Sequence, residues 1–301
     1  MRKKNTIKNF ITSIIPYIIF TILSIVKVKI FLNKLGDEIY ASNQLFNQLF
    51  TYISLVEGGV GALIIQKYYK HFINKSYDKI NKIYSNSIKS MEKISLIIFI
   101  ISLVLSFFIK FLTKNSLSFL YLQFVFILYA IRSIIEYLNL SPRFVIQADQ
   151  KLYKINIILN FYKLLEILVE IILLFGGFDY SIIIIVTIII RIIMYYCVNM
   201  KVKHEYPWLK RVPLKSKERI KGMGYMFWHK IAGNIKTNTD IILLSITQKP
   251  FIVACYASYN YIMKCIGDVI YMIGTAIISS YGNVVYSEDS EKGYQVFKKI
   301  N

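Results

Sequence analysis

ERIKGMGYMFWHKIAGNIKTNTDIILLS, residues 218–245, is long enough to cross a bilayer, yet it carries Lys230, Lys236 and Asp240 at membrane depth. An ionisable side chain at the centre of a hydrocarbon layer costs about 2.5 kcal/mol or more unless it is paired or faces water. The rest of the chain therefore has to supply a polar interior. His229, Gly233, Lys236 and Asp240 fall on one helical face, and Lys230, Asn234 and Asn238 on the next. That polar face suits either a ligand cavity or an internal Lys236–Asp240 pair.

Composition agrees with a membrane setting. The chain has 301 residues, 55% of them hydrophobic, with a mean hydropathy of +0.49. Soluble domains are rarely so apolar. The formal charge of +20 is clustered between apolar runs. The positive-inside rule accounts for that clustering, and no nucleic-acid partner is expected. Cys197, Cys255 and Cys265 have no metal-ligand spacing and read as buried thiols. A catalytic domain, a glycine-rich phosphate loop and a hydrolase elbow are all missing from the sequence. The expectation is a non-enzyme with no catalytic residues, metal or cofactor.

Working outward gives about eight spans: 9–31, 41–65, 94–112, 117–140, 155–175, 180–200, 218–245 and 251–281. Residues 32–41 read as an outer loop with a Gly-Asp turn, and residues 66–93 as a basic inner connection, partly an amphipathic surface helix. In the second span, Gly58 and Ala62 have the spacing of a close helix contact, and Glu57 beside them is either near the inner interface, the favoured reading, or paired. Pro142 is expected to end the fourth span. The proposed inner segments (1–8, 66–93, 141–154, 201–221 and 282–301) hold 25 Lys or Arg, against Lys34, Lys110, Lys114 and Lys249 on the outer turns. Both ends are therefore expected inside. The units read as a six-helix lobe (1–200), a basic linker (201–221) broken by Pro207 and Pro213, and the start of a second lobe (222–301). Tyr40-Ala41-Ser42 with Gly58 is echoed by Tyr256-Ala257-Ser258 with Gly274, as a repeated lobe predicts.

Other charges also lie at depth. Lys27 either snorkels outward or faces a cavity. Arg132 and Glu136, four apart, can neutralise each other. Lys163, Glu166 and Glu170 form one stripe, which must face protein or water rather than lipid. Arg191 has no acid within four residues, so an external anion is its expected partner. Lys264 and Asp268 repeat the four-residue spacing in the last span.

LGDEIYASNQLFNQLFTYISLVEGGVGALI (35–64), QADQKLY (147–153) and HKIAGNIKTNTDIILLS…VACYASYNYI (229–262) resemble the Wzx-type polysaccharide flippases of the MATE-like multidrug/oligosaccharidyl-lipid/polysaccharide superfamily. The resemblance covers nearly the whole chain. It implies an all-α, polytopic, MATE-like transmembrane bundle of two lobes with alternating access, here a first lobe plus two helices of a second. It implies a multi-pass protein of the bacterial cytoplasmic membrane, N-terminus in the cytoplasm, that carries a polyprenyl-pyrophosphate-linked oligosaccharide. A polysaccharide polymerase and glycosyltransferases are the implied partners. Among the family's features, the acid of the TNTD stretch matches Asp240. Depth and spacing nominate Lys27, Arg132, Arg191, Lys230 and Lys236 for the cargo's anionic head. Asp240, Glu166 and Glu170 are nominated for ion coupling, and Lys163, Glu136, Lys264 and Asp268 for ion pairs. Family members have twelve or more spans, so the sequence resembles a C-terminally truncated member. The rival expectations are a multidrug cation antiporter of the same superfamily and a fragment that does not transport. At depth, cationic side chains are at least as numerous as acids, which favours an anionic cargo.

Overall fold

Gly36 bends the first long helix sharply. The computed structural model describes the backbone of residues 2–213 and 239–285, and the side chains of residues 15–213 and 239–268. Helix α1 (Arg2–Ile53) is interrupted only at Gly36, whose φ of 80° is open to glycine at little cost. Phe31 and Tyr40 flank the break, and their rings meet edge to face at 5.5 Å. In a straight helix, nine residues would separate them by about 13 Å along the axis. The expected ten-residue loop is therefore a one-residue bend.

The expected second span is also broken. A 3₁₀ turn (Ser54–Glu57) leads to Gly58 and Gly59, both left-handed, before α2 (Val60–Ile73) begins. Glu57 Oε1 accepts the Gly61 N–H at 3.2 Å, satisfying one of the first free donors of α2. Gly58 is thus a hinge residue rather than half of a Gly58–Ala62 helix contact. The close approach falls at Gly61, where an added Cβ would lie 2.8 Å from the Phe144 ring.

Helix α3 (Tyr77–Ser106) unites two segments that the sequence reading separates. No Gly or Pro interrupts residues 77–106, so residues 77–93 of the basic stretch form the first half of the third helix, while its residues 66–73 complete α2. A 3₁₀ turn (Ile109–Leu112) follows. Helix α4 (Phe119–Leu138) and α5 (Leu140–Ala148) are offset at Asn139. Pro142 does not end a helix. It lies in the first turn of α5, where a missing N–H goes unnoticed.

Helices α6 (Tyr153–Phe175) and α7 (Tyr180–Glu205) lie close to their expected bounds. Gly177, at φ 71°, makes the turn between them, and Asp179 caps α7 by accepting the Ser181 N–H at 2.8 Å. Burial opposes the Asp179 carboxylate, but hydrogen bonds from Ser181 and Tyr121 outweigh it and hold the group below its ordinary range. Helix α8 (Asp240–Thr247) is what is described of the expected seventh span, and α9 (Pro250–Val285) follows. Lys230 and Lys236 lie outside the described residues.

The protein is all-helical among the described residues. Among the described residues, three stretches are long and apolar enough to cross a membrane: Ile15–Glu57, Phe119–Ala148 and Tyr180–Glu205. Helix α6 carries Lys163, Glu166 and Glu170 within its length. The chain divides into two compact units at Ala257/Ser258. In the first unit α3 packs on α4, α1 on α6, and α7 on both α4 and α6. Lys264 and Asp268 belong to the second unit, on α9.

After α7 the chain is strapped along α3. Asn81 Nδ2 donates to the Trp208 carbonyl at 3.2 Å, and Asn81 Oδ1 accepts the Lys210 N–H at 3.0 Å. One turn on, Ser85 Oγ accepts the Val212 N–H at 2.8 Å. Phe72, Tyr77 and Tyr206 pack around the Trp208 ring. Asn81 is buried and binds two backbone groups at once. Asn81→Ala should therefore cost about 1–3 kcal/mol, read as a lower melting temperature of the detergent-solubilised protein. An unchanged melt would show that the strap adds nothing.

Candidate functional site

The stripe on α6 decides where the polar interior lies. Asn156, Asn160, Lys163, Glu166 and Glu170 recur every three or four residues and line one cavity of about 480 Å³. From Asn156 to Glu170 the stripe climbs about 21 Å, roughly two thirds of a hydrocarbon core about 30 Å thick. Helix α1 closes the cavity with Tyr17, Phe20, Ser24 and Lys27. Helices α4 and α5 supply Arg132, Glu136 and Arg143, and α7 supplies Arg191 and Met194.

Seven residues nominated from sequence meet here: Lys27, Arg132, Glu136, Lys163, Glu166, Glu170 and Arg191. Their pairing differs from expectation. Arg132 does not pair with Glu136 on its own helix. It reaches across to Glu166 Oε1 at 2.5 Å. Arg191 does not wait for an external anion, because its Nε and Nη2 donate to Glu166 Oε1 at 3.1 Å and its Nη1 to Glu136 Oε2 at 3.2 Å. Of the two placements expected for Lys27, it takes the cavity rather than the snorkelling one, and there it pairs with Glu170 Oε2 at 2.5 Å. Spacing within one helix reports neighbours on that helix only, whereas these pairs form between helices.

Glu166 sits at the centre, 8% exposed, with its carboxylate held between two guanidinium groups. Around it Tyr129 and Tyr180 join hydroxyl to hydroxyl at 2.7 Å, and Tyr129 donates on to Asn43 Oδ1. The Arg132 guanidinium lies over the Tyr129 ring, 5.9 Å from its centroid.

Charge counting gives the cavity its sign. Five cationic side chains and three carboxylates line it, an excess of two positive charges. Glu136, Glu166 and Glu170 pair with Arg191, Arg132 and Lys27. Arg143 and Lys163 line the cavity and form no ion pair among the described residues. The Lys163 ammonium rests over the Phe20 ring, 4.9 Å from its centroid. Arg143 lies in a stretch that reads from sequence as an inner connection, and nothing in its local spacing marks it as a cavity residue. Asn156 and Asn160, which the sequence reading did not single out, extend the α6 stripe at the same helical spacing.

Asp240 lies elsewhere. It opens α8, is exposed, and accepts a hydrogen bond from the Tyr256 hydroxyl at 2.5 Å. Among the described residues no three His, Cys, Asp or Glu side chains stand together as a metal site.

The fold and the site define an all-helical protein with membrane-length apolar helices around a polar cavity of net positive charge. The chain matches no family model, no curated protein and no solved structure.

Proposed function

We propose that the protein is a membrane flippase that moves an oligosaccharide linked to polyprenyl pyrophosphate across the bacterial cytoplasmic membrane. The observation that carries this reading is the pair of cavity cations, Arg143 and Lys163, left over after every cavity carboxylate has found a partner. An anionic head entering the cavity meets Arg143, half-buried on α5, and Lys163, exposed to the cavity and resting over the Phe20 ring. Arg binds such a head with a planar fork, and Lys adds a mobile point charge. The neutral pairs around Glu166 keep the walls of the cavity apart and polar, so the head need not cross hydrocarbon. The lipid tail stays in the bilayer. The eight-span, two-lobe architecture with the N-terminus in the cytoplasm, and the polymerase and glycosyltransferase partners, follow from the resemblance to Wzx-type flippases and belong to this same proposal, as does the absence of enzyme activity.

Translocation in proteoliposomes tests it. With a fluorescent oligosaccharide on polyprenyl pyrophosphate, quenching from outside should reach the inner-leaflet pool only in vesicles that contain the protein. Vesicles that extrude a cationic dye and leave the lipid-linked sugar in place would favour the antiporter instead.

A further inference from the structure

A second, smaller cavity of about 130 Å³ adjoins the first, and Lys27, Arg132 and Glu170 line both. Its character is different. Beyond the three shared charges, its polar lining is neutral: the amides of Asn43 and Asn47 and the hydroxyls of Tyr129 and Tyr180. Phe31 supplies an aromatic wall and meets the Tyr180 ring at 5.1 Å. The larger chamber thus adjoins one of single-ring size whose unshared polar lining is neutral and hydrogen-bonding. Leu174 of α6 and Ile183 of α7 place the smaller chamber beside the turn between these helices, while Arg143 and Asn156 lie at the opposite end of the larger one.

We propose that the smaller chamber is a subsite for one neutral sugar ring of the cargo, with the phosphate behind it in the basic cavity; this rests on the anionic-cargo reading above. Sugar hydroxyls are read by fixed amides and carboxylates, and the apolar face of the ring packs on an aromatic side chain. Here the amides come from α1, the carboxylate is Glu170, and the ring faces are Phe31 and Tyr180. Lys163 and Glu170 are separated by about 10 Å of helix, the reach of one or two sugar units from a bound phosphate. A head group entering sugar first would fill the small chamber and leave its phosphate among Lys163, Arg143 and Arg132.

The test is equilibrium binding to the detergent-purified protein of three probes: inorganic phosphate, maltose 1-phosphate and lactose 1-phosphate. Phosphate should bind, and at least one sugar phosphate should bind tenfold tighter or better. Asn47→Ala and, separately, Tyr180→Phe should remove most of that gain and leave phosphate binding as in the wild type, which also shows that the variants are folded. Equal affinity for all three probes would overturn the subsite and leave the basic cavity standing. No binding of any probe would overturn both readings. A gain that survives both substitutions would place the sugar elsewhere and likewise overturn the subsite.

Discussion

Glu166→Ala should be the most damaging single substitution in the first unit, lowering stability by about 3–5 kcal/mol. The reason is geometric. Glu166 Oε1 takes hydrogen bonds from both Arg132 and Arg191, and it is the most buried carboxylate of the cavity. Removing it leaves two guanidinium groups half-buried and facing each other. Glu136 can still reach Arg191, but Arg132 has no other ion pair among the described residues. The loss should appear as a lower melting temperature and a smaller folded yield in detergent. Restoring neutrality should recover much of it, so Glu166→Ala combined with Arg132→Met is expected to melt above Glu166→Ala alone. If Glu166→Ala melts with the wild type, the pairing described here does not hold the helices.

The second large effect belongs to Arg143 and Lys163. Reversing both, as Arg143→Glu with Lys163→Glu, changes the lining from an excess of two positive charges to an excess of two negative ones. No ion pair among the described residues is broken, so the melt should move far less than for Glu166→Ala. Anion handling should collapse: translocation of the lipid-linked sugar is expected to fall at least a hundredfold, and weak uptake of a cationic dye is the expected gain. By contrast Arg191, the best anion contact on sequence grounds, is held by two carboxylates. Arg191→Gln should therefore injure stability more than cargo affinity.

How much of this was legible beforehand follows from what a linear pattern can encode. Helices α6 and α7 fell near their expected bounds because Gly176, Gly177 and Asp179 punctuate two long apolar runs. The α6 stripe was legible because helical spacing alone puts Lys163, Glu166 and Glu170 on one face. The partners were not legible. Glu166 meets Arg132 and Arg191 across 34 and 25 residues of sequence, and Lys27 meets Glu170 across 143. Only packing sets those distances. Glycine and proline were misread where their role depends on backbone conformation. Gly58 looks like a small residue for helix packing but adopts φ 55°. Pro142 looks like a stop but opens a helix. Arg143 was hidden for the same reason, since a proline-flanked arginine in a polar stretch resembles a surface connection until α5 turns it toward α6.

The most direct measurement compares one lipid with and without its charge. Equilibrium binding of a polyprenyl pyrophosphate and of the uncharged polyprenol of the same chain length would be measured on the same purified protein, at low and at high salt. If the basic cavity reads the anionic head, the pyrophosphate should bind about a hundredfold tighter at low salt, a difference of about 2.7 kcal/mol, and part of that gap should close as salt rises. Equal binding of the two lipids, with no salt dependence, would mean that the protein recognises only the tail and that the excess charge of its cavity serves some other purpose.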